Sequence, residues 1–124
     1  MKACYIIMSW LFGKKEWTKK EKIAVLKSLC FIVGADKKIA GSEQLLLAAY
    51  FERYHLDVLS AMREQAEMSQ DEMTSIISGF SSDDKKTVLN YWHEAICCDG
   101  DVDVNEATVF GIMAVECGID ISTR

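Results

Sequence analysis

Three aspartates at alternate positions, then an amide and a glutamate, mark Cys98-Asp99-Gly100-Asp101-Val102-Asp103-Val104-Asn105-Glu106. Oxygen-only side chains at this density suit a hard cation such as Ca²⁺ or Mg²⁺. No lysine or arginine falls between positions 87 and 123 to neutralise them, and like charges this close raise one another's pKa unless a cation intervenes. Asp99, Asp101, Asp103 and Glu106 are therefore the first candidate metal ligands. The frame is not an EF-hand. Counting from Asp99, the sixth position is Val104 instead of glycine and the twelfth is Phe110 instead of a bidentate glutamate.

An earlier stretch has the same frame: Ala35-Asp36-Lys37-Lys38-Ile39-Ala40-Gly41-Ser42-Glu43. The offset (99 − 36 = 63) also pairs Ile39 with Val102, Glu43 with Glu106, Leu56 with Ile119, Asp57 with Asp120, Thr18 with Ser81 and Glu21 with Asp84. A shared frame of this length points to an internal duplication. In the first copy Lys37 and Lys38 stand where the second has Gly100 and Asp101, so an internal ammonium can neutralise Asp36. Asp36 and Glu43 are thus the weaker metal candidates.

Both turns also have an account that needs no ligand. Each glutamate falls about three residues into a helix, where Asp103 and Glu106 form a capping-box pair. Asp36 and Asp99 can accept from turn amides, and a carboxylate gains about 0.3–1 kcal/mol beside the positive pole of the following helix. A softer metal site would use His93, Cys97 and Cys98, but no second pair of ligands completes a tetrahedron. His55 stands alone at a helix junction and reads as structural. There is no phosphate-binding glycine loop, GxSxG, HExxH or nucleophile–base set, so the sequence points away from an enzyme.

The segments that must position these turns are helical. Half of the 124 residues are apolar, 27% are charged and none is proline, which excludes a disordered chain and suits uninterrupted helices. Thr18-Lys19-Lys20-Glu21 is a capping box opening a helix with Ile23, Leu26, Leu29, Cys30 and Val33 at the helical period, which Gly34 can end. Glu43 to Tyr54 is apolar almost all round and is expected at the centre of the bundle. Asp57 is the N-cap of a helix from Val58 to about Glu67. Ser69-Gln70-Asp71-Glu72 and Ser81-Ser82-Asp83-Asp84 are two further capping boxes, leading into Met73, Ile76, Ile77 and Phe80, and into Val88, Leu89, Trp92 and Ile96. The last helix runs from Glu106 to Cys117, with Val109, Phe110 and Met113, and Gly118 closes it. The expectation is an all-α fold: one compact bundle of about seven helices, with two pseudo-symmetric helix–acidic turn–helix units over residues 18–124.

Residues 1–17 form a distinct segment. Ala3 to Phe12 is apolar apart from Ser9, preceded by Lys2 and followed by Gly13-Lys14-Lys15. Ten residues are too few to span a bilayer as a helix, and Gly13-Lys14-Lys15-Glu16 is a poor signal-peptidase site. One reading is a short first helix packed on the body. The other is a peripheral membrane contact, with Trp10, Leu11, Phe12 and Trp17 in the headgroups beside Lys14, Lys15, Lys19 and Lys20. Met8 stands as an alternative start to Met1. Charge is split: residues 1–40 hold nine lysines against three acids (+6), and the other 84 hold five basic and sixteen acidic side chains (−11). The net −5 argues against nucleic acid as a partner. Five cysteines without a regular framework read as reduced thiols of a cytoplasmic protein.

With both turns in view, the chain resembles the TerB-like family of tellurite-resistance and stress-response proteins, whose domain also occurs in a membrane-anchored DnaJ-type co-chaperone. The family pattern, Ala-Asp-Gly-x-Ile/Val-x-x-x-Glu between helices and repeated near the C terminus, is matched by Ala35 to Glu43 and by Cys98 to Glu106. Ser9-Trp10-Leu11-Phe12-Gly13-Lys14-Lys15 is similar to the family's opening, and the likeness covers about residues 9–120. Lys37 departs from the motif's first glycine. The resemblance implies a pseudo-symmetric helical bundle with Asp36, Glu43, Asp99 and Glu106 at the family's acidic positions. It further implies a non-enzymatic role in metal-ion or stress response, close to a membrane. The first expectation for function is accordingly a TerB-like module that binds protein partners, with a divalent cation at the second turn. The alternative is a scaffolding domain whose acidic turns only cap helices and whose apolar surface does the docking.

Overall fold

The computed structural model describes residues 16–34, 41–97 and 104–121, with the backbone alone for 41–43, 97 and 104–106. Six helices fill them: α1 Lys19–Val33, α2 Gly41–Arg53, α3 Val58–Glu67, α4 Gln70–Ser78, α5 Ser82–Cys97 and α6 Val104–Glu116. No strand occurs among the described residues, so the all-α expectation holds. The helix expected over residues 3–12 lies outside them.

Local chemistry sets most of the boundaries. Thr18 caps α1 in a complete box: its Oγ1 accepts from the Glu21 amide at 3.2 Å, and Glu21 Oε1 accepts from the Thr18 amide at 2.7 Å. The other two expected boxes form only in half. Ser69 Oγ accepts from the Glu72 amide, but the Glu72 carboxylate pairs with Lys20 at 3.0 Å. Ser81 Oγ accepts from the Asp84 amide, and an aspartate is one methylene shorter than the glutamate of a full box. Asp57 Oδ2 accepts from the Ser60 amide and begins α3 where the sequence placed it. That hydrogen bond holds the Asp57 carboxyl below its ordinary pKa.

α1, not α2, is the central helix. It packs against each of the other five, and its residues 23–26 are buried in unbroken succession, so water reaches none of its sides there. Ala24 and Ser28, four positions apart and fully buried, leave room for close neighbours. α2 lies at the periphery, with Leu45 73% exposed and Ala48 and Ala49 in water. An apolar circumference was the reason to expect α2 inside; it instead presents apolar surface on two sides.

The 63-residue step recurs in the backbone. Ser82 starts α5 as Lys19 starts α1 (19 + 63 = 82), and Gly41–Arg53 moved by 63 is Val104–Glu116. The corners after α2 and α6 are both Schellman turns. Leu56 N–H donates to the Phe51 carbonyl (2.9 Å) and His55 N–H to that of Glu52 (3.3 Å). Ile119 N–H donates to the Ala114 carbonyl (2.8 Å) and Gly118 N–H to that of Val115 (3.2 Å). The left-handed residue is Gly118 at φ +66° in one corner and His55 at φ +56° in the other. A side chain there strains the backbone by about 1 kcal/mol. Gly118→Ala is therefore expected to lower stability by about 1 kcal/mol, and His55→Gly to raise it by a few tenths to about 1 kcal/mol, read from urea midpoints at unchanged slope.

Candidate functional site

The acidic side chains that motivated a metal site lie outside the described residues: Asp36, Asp99, Asp101 and Asp103 entirely, Glu43 and Glu106 in all but backbone. Among the described residues no group of three or more His, Cys, Asp or Glu side chains is placed to hold an ion. Cys98 and the Cys97 side chain also lie outside, and His93 is half-buried on α5. Cys30 and Cys117 are free thiols whose pKa values burial pushes up to about 11. Both are protonated near neutrality and pack as small hydrophobes.

Elsewhere, a shallow and widely open groove lies between α2 and α3. Its volume is about 710 Å³, and its floor is Leu47, Phe51, Leu56 and Met62, with Gln44, Ala48, Glu52, His55 and Val58 along the rim. The adjoining stripe of α2 explains how these residues are placed. Tyr50 and Tyr54 anchor it in an aromatic cluster: Tyr50 Oη donates to the Lys22 carbonyl at 2.8 Å, and the Tyr54 and Tyr91 hydroxyls lie 2.7 Å apart. The Tyr50 ring meets Tyr91 edge-on at 5.6 Å, and burial raises its phenol pKa well above the ordinary value. With 50 and 54 turned inward, 47, 51 and 55 form the next stripe of the helix. The corner at His55 then brings Val58 and Met62 of α3 opposite.

Trp17 joins the aromatic cluster on the inward side of α2. It is 9% exposed and stacks on Tyr54 (centroids 5.3 Å, planes 13° apart) and on Phe80 (5.3 Å, 30°). It is packed in the core; Trp10, Phe12, Lys14 and Lys15 lie outside the described residues. Lys19, another of the expected headgroup contacts, pairs with Glu64 of α3 at 3.1 Å. No helix among the described residues is long and apolar enough to cross a membrane.

A second apolar surface lies on α6 and just beyond it. Val115 is 82% exposed, Ile112 53% and Ile121 47%, while Met113, Ala114 and Cys117 of the same segment are buried. Sequence periodicity missed both surfaces because α2 and α6 carry more apolar residues than one stripe holds, so the period does not single out the side that a neighbour covers. The uncovered sides of α2 and α6 were visible only as apolar residues in excess of one stripe.

No protein-family model matches the chain, and no curated protein does. Among solved structures it is similar to a protein of unknown function from Porphyromonas gingivalis W83, with a TM-score of 0.71 and 23% identity. The match covers 84% of this chain and 88% of that one. At this identity the likeness shows a shared helical fold and nothing of its use.

Proposed function

We propose that the chain is a non-enzymatic, TerB-like helical module that binds a protein partner through the outward face of α6, with a divalent cation at the acidic turn leading into that helix. The observation that carries the partner reading is the exposure of Ile112, Val115 and Ile121 together on and beside one helix. Clustered large apolar side chains in water mark interaction surfaces, whereas single ones do not. In this reading the molecule consists of two related helix–acidic turn–helix units. The 63-residue recurrence of helix bounds and Schellman corners supports that. The burial pattern adds to it: Val25 and Val88, Leu26 and Leu89, Leu29 and Trp92, and Val33 and Ile96 are buried at both copies. Asp99, Asp101, Asp103 and Glu106 are the proposed ligands, with Asp36 and Glu43 a weaker set because of Lys37 and Lys38.

One experiment addresses both parts. The full chain, Val115→Glu and Asp99→Ala are compared in capture from the source cells, each with millimolar Ca²⁺ or Mg²⁺ and with chelator, alongside thermal unfolding under the same conditions. A partner lost with Val115→Glu, and a cation-dependent rise in Tm lost with Asp99→Ala, are the expected results. Equal capture by wild type and Val115→Glu removes the α6 surface. Unfolding indifferent to cation in wild type and Asp99→Ala alike removes the ion and leaves the acidic turns as helix caps.

A further inference from the structure

Gly111 stands in the interior of α6, where glycine is the least favourable residue after proline. Two other glycines have local reasons to lack a side chain. A Cβ on Gly34 would lie 3.0 Å from the Cys30 carbonyl oxygen, and Gly118 has φ +66°. A Cβ on Gly111 would meet nothing within 4 Å, so no packing among the described residues requires its absence. The gap lies on the side of α6 that the bundle leaves uncovered. Four positions before Gly111, Ala107 is exposed; four positions after it, Val115 is 82% exposed. Residues four apart share one stripe of a helix, and this stripe therefore runs from a methyl group through a gap to an isopropyl group. Thr108 and Ile112 flank it in water, and none of the five residues carries a charge.

A stripe that is small at one end and large at the other fits itself when reversed. In an antiparallel pair of α6 helices crossing at Gly111, Val115 of one copy lies over Ala107 of the other, and a two-fold axis repeats the contact. The two glycines at the crossing let the backbones come to the near end of the interaxial range, about 8 Å. Charge favours the same pairing. The chain carries −5, so two copies repel each other except where they meet across an uncharged surface, and such a surface offers nothing to a charged partner. We infer that the outward face of α6 is covered by α6 of a second copy of this chain, antiparallel and crossing at Gly111. The inference rests on the reading that α6 binds a protein, and it names that protein.

Sedimentation equilibrium of the full chain over a concentration series tests it. Wild type is expected to dimerise with a micromolar Kd, since one helix pair makes a small interface. Association is expected to tighten with salt, which screens the repulsion between two acidic copies. Gly111→Leu is expected to raise Kd about tenfold or more by holding the backbones apart. The same substitution leaves the thermal midpoint of the dilute monomer equal or higher, because leucine is the better helix former. Ala107→Val sets valine on valine and Val115→Ala sets alanine on alanine, so each is expected to weaken the dimer. The double variant Ala107→Val/Val115→Ala restores valine on alanine and is expected to dimerise more tightly than either single variant. A wild type that stays monomeric to millimolar concentration overturns the inference. So does a Kd that Gly111→Leu leaves unchanged, or a double variant no tighter than the singles. The partner reading fails on a different result. Where wild type is monomeric but Val115→Glu still abolishes capture from the source cells, another protein covers α6 and only the second copy is ruled out.

Discussion

Trp92→Ala is expected to lower stability by about 3–5 kcal/mol, the range for deleting a large buried aromatic, and to move the thermal midpoint down by roughly 15 °C. Trp92 is fully buried on α5 and meets the Phe110 ring of α6 edge-on at 6.0 Å. Its Nε1–H donates to Ser28 Oγ of α1 at 2.8 Å, and the Ser28 hydroxyl donates in turn to the Val25 carbonyl at 2.6 Å. One side chain therefore joins three helices and gives the buried Ser28 hydroxyl its donor. Ser28→Ala leaves the indole N–H without its acceptor, and an unsatisfied buried donor costs about 1–3 kcal/mol. Trp92→Phe removes that donor along with part of the ring. The double variant Ser28→Ala/Trp92→Phe should then be more stable than the sum of the single losses implies. Urea unfolding of the four proteins gives the coupling; strict additivity would show that the 2.8 Å contact contributes nothing beyond packing.

The Ser28–Trp92 pair also shows what the sequence can and cannot disclose. Trp92 was legible as core from its place in the period Val88, Leu89, Trp92, Ile96, and so were Ile23, Leu26, Leu29 and Val33. Their pairing across 64 positions was not, because helical periodicity assigns a face and never a partner. Caps were legible to the residue at Thr18 and Asp57, since a side-chain oxygen and an amide three positions on make a purely local bond. The reciprocal half of the Ser69 box failed for a non-local reason: Lys20 on α1 claims Glu72.

Position within the bundle was the harder inference. Composition favoured α2 for the centre, yet Ala24 and Ser28 give α1 the narrow waist that lets five helices approach it. Small residues four apart were the usable signal, and a count of apolar residues passes over them. The sequence showed the surplus of apolar residues on α2 but not the groove they line. It exists because a corner at His55 sets α3 beside α2, and a corner's geometry depends on two backbone bonds and one positive φ. The Gly118 corner had a glycine to announce it, whereas the His55 corner had only its match at the 63-residue step.

Trp17→Ala is the second substitution with a large expected effect, about 3 kcal/mol, at the lower end of the range for buried aromatics because the residue stands at the edge of the core. Two stacked contacts at 5.3 Å, to Tyr54 and Phe80, are lost together. Tyr54 is also the residue through which α2 reaches Tyr91 of α5, so the loss should spread to the aromatic cluster and not stay at the N-terminal end. A tryptophan that dips into lipid behaves in the opposite way, since its removal weakens vesicle binding and leaves unfolding in buffer unchanged. Thermal unfolding in the absence of lipid therefore separates the two roles. A fall in Tm of roughly 10 °C is expected, with Trp17→Phe recovering most of it because a phenyl ring keeps one face of the stack. An unchanged Tm for Trp17→Ala would show that the stacks on Tyr54 and Phe80 add nothing measurable to the stability of the bundle.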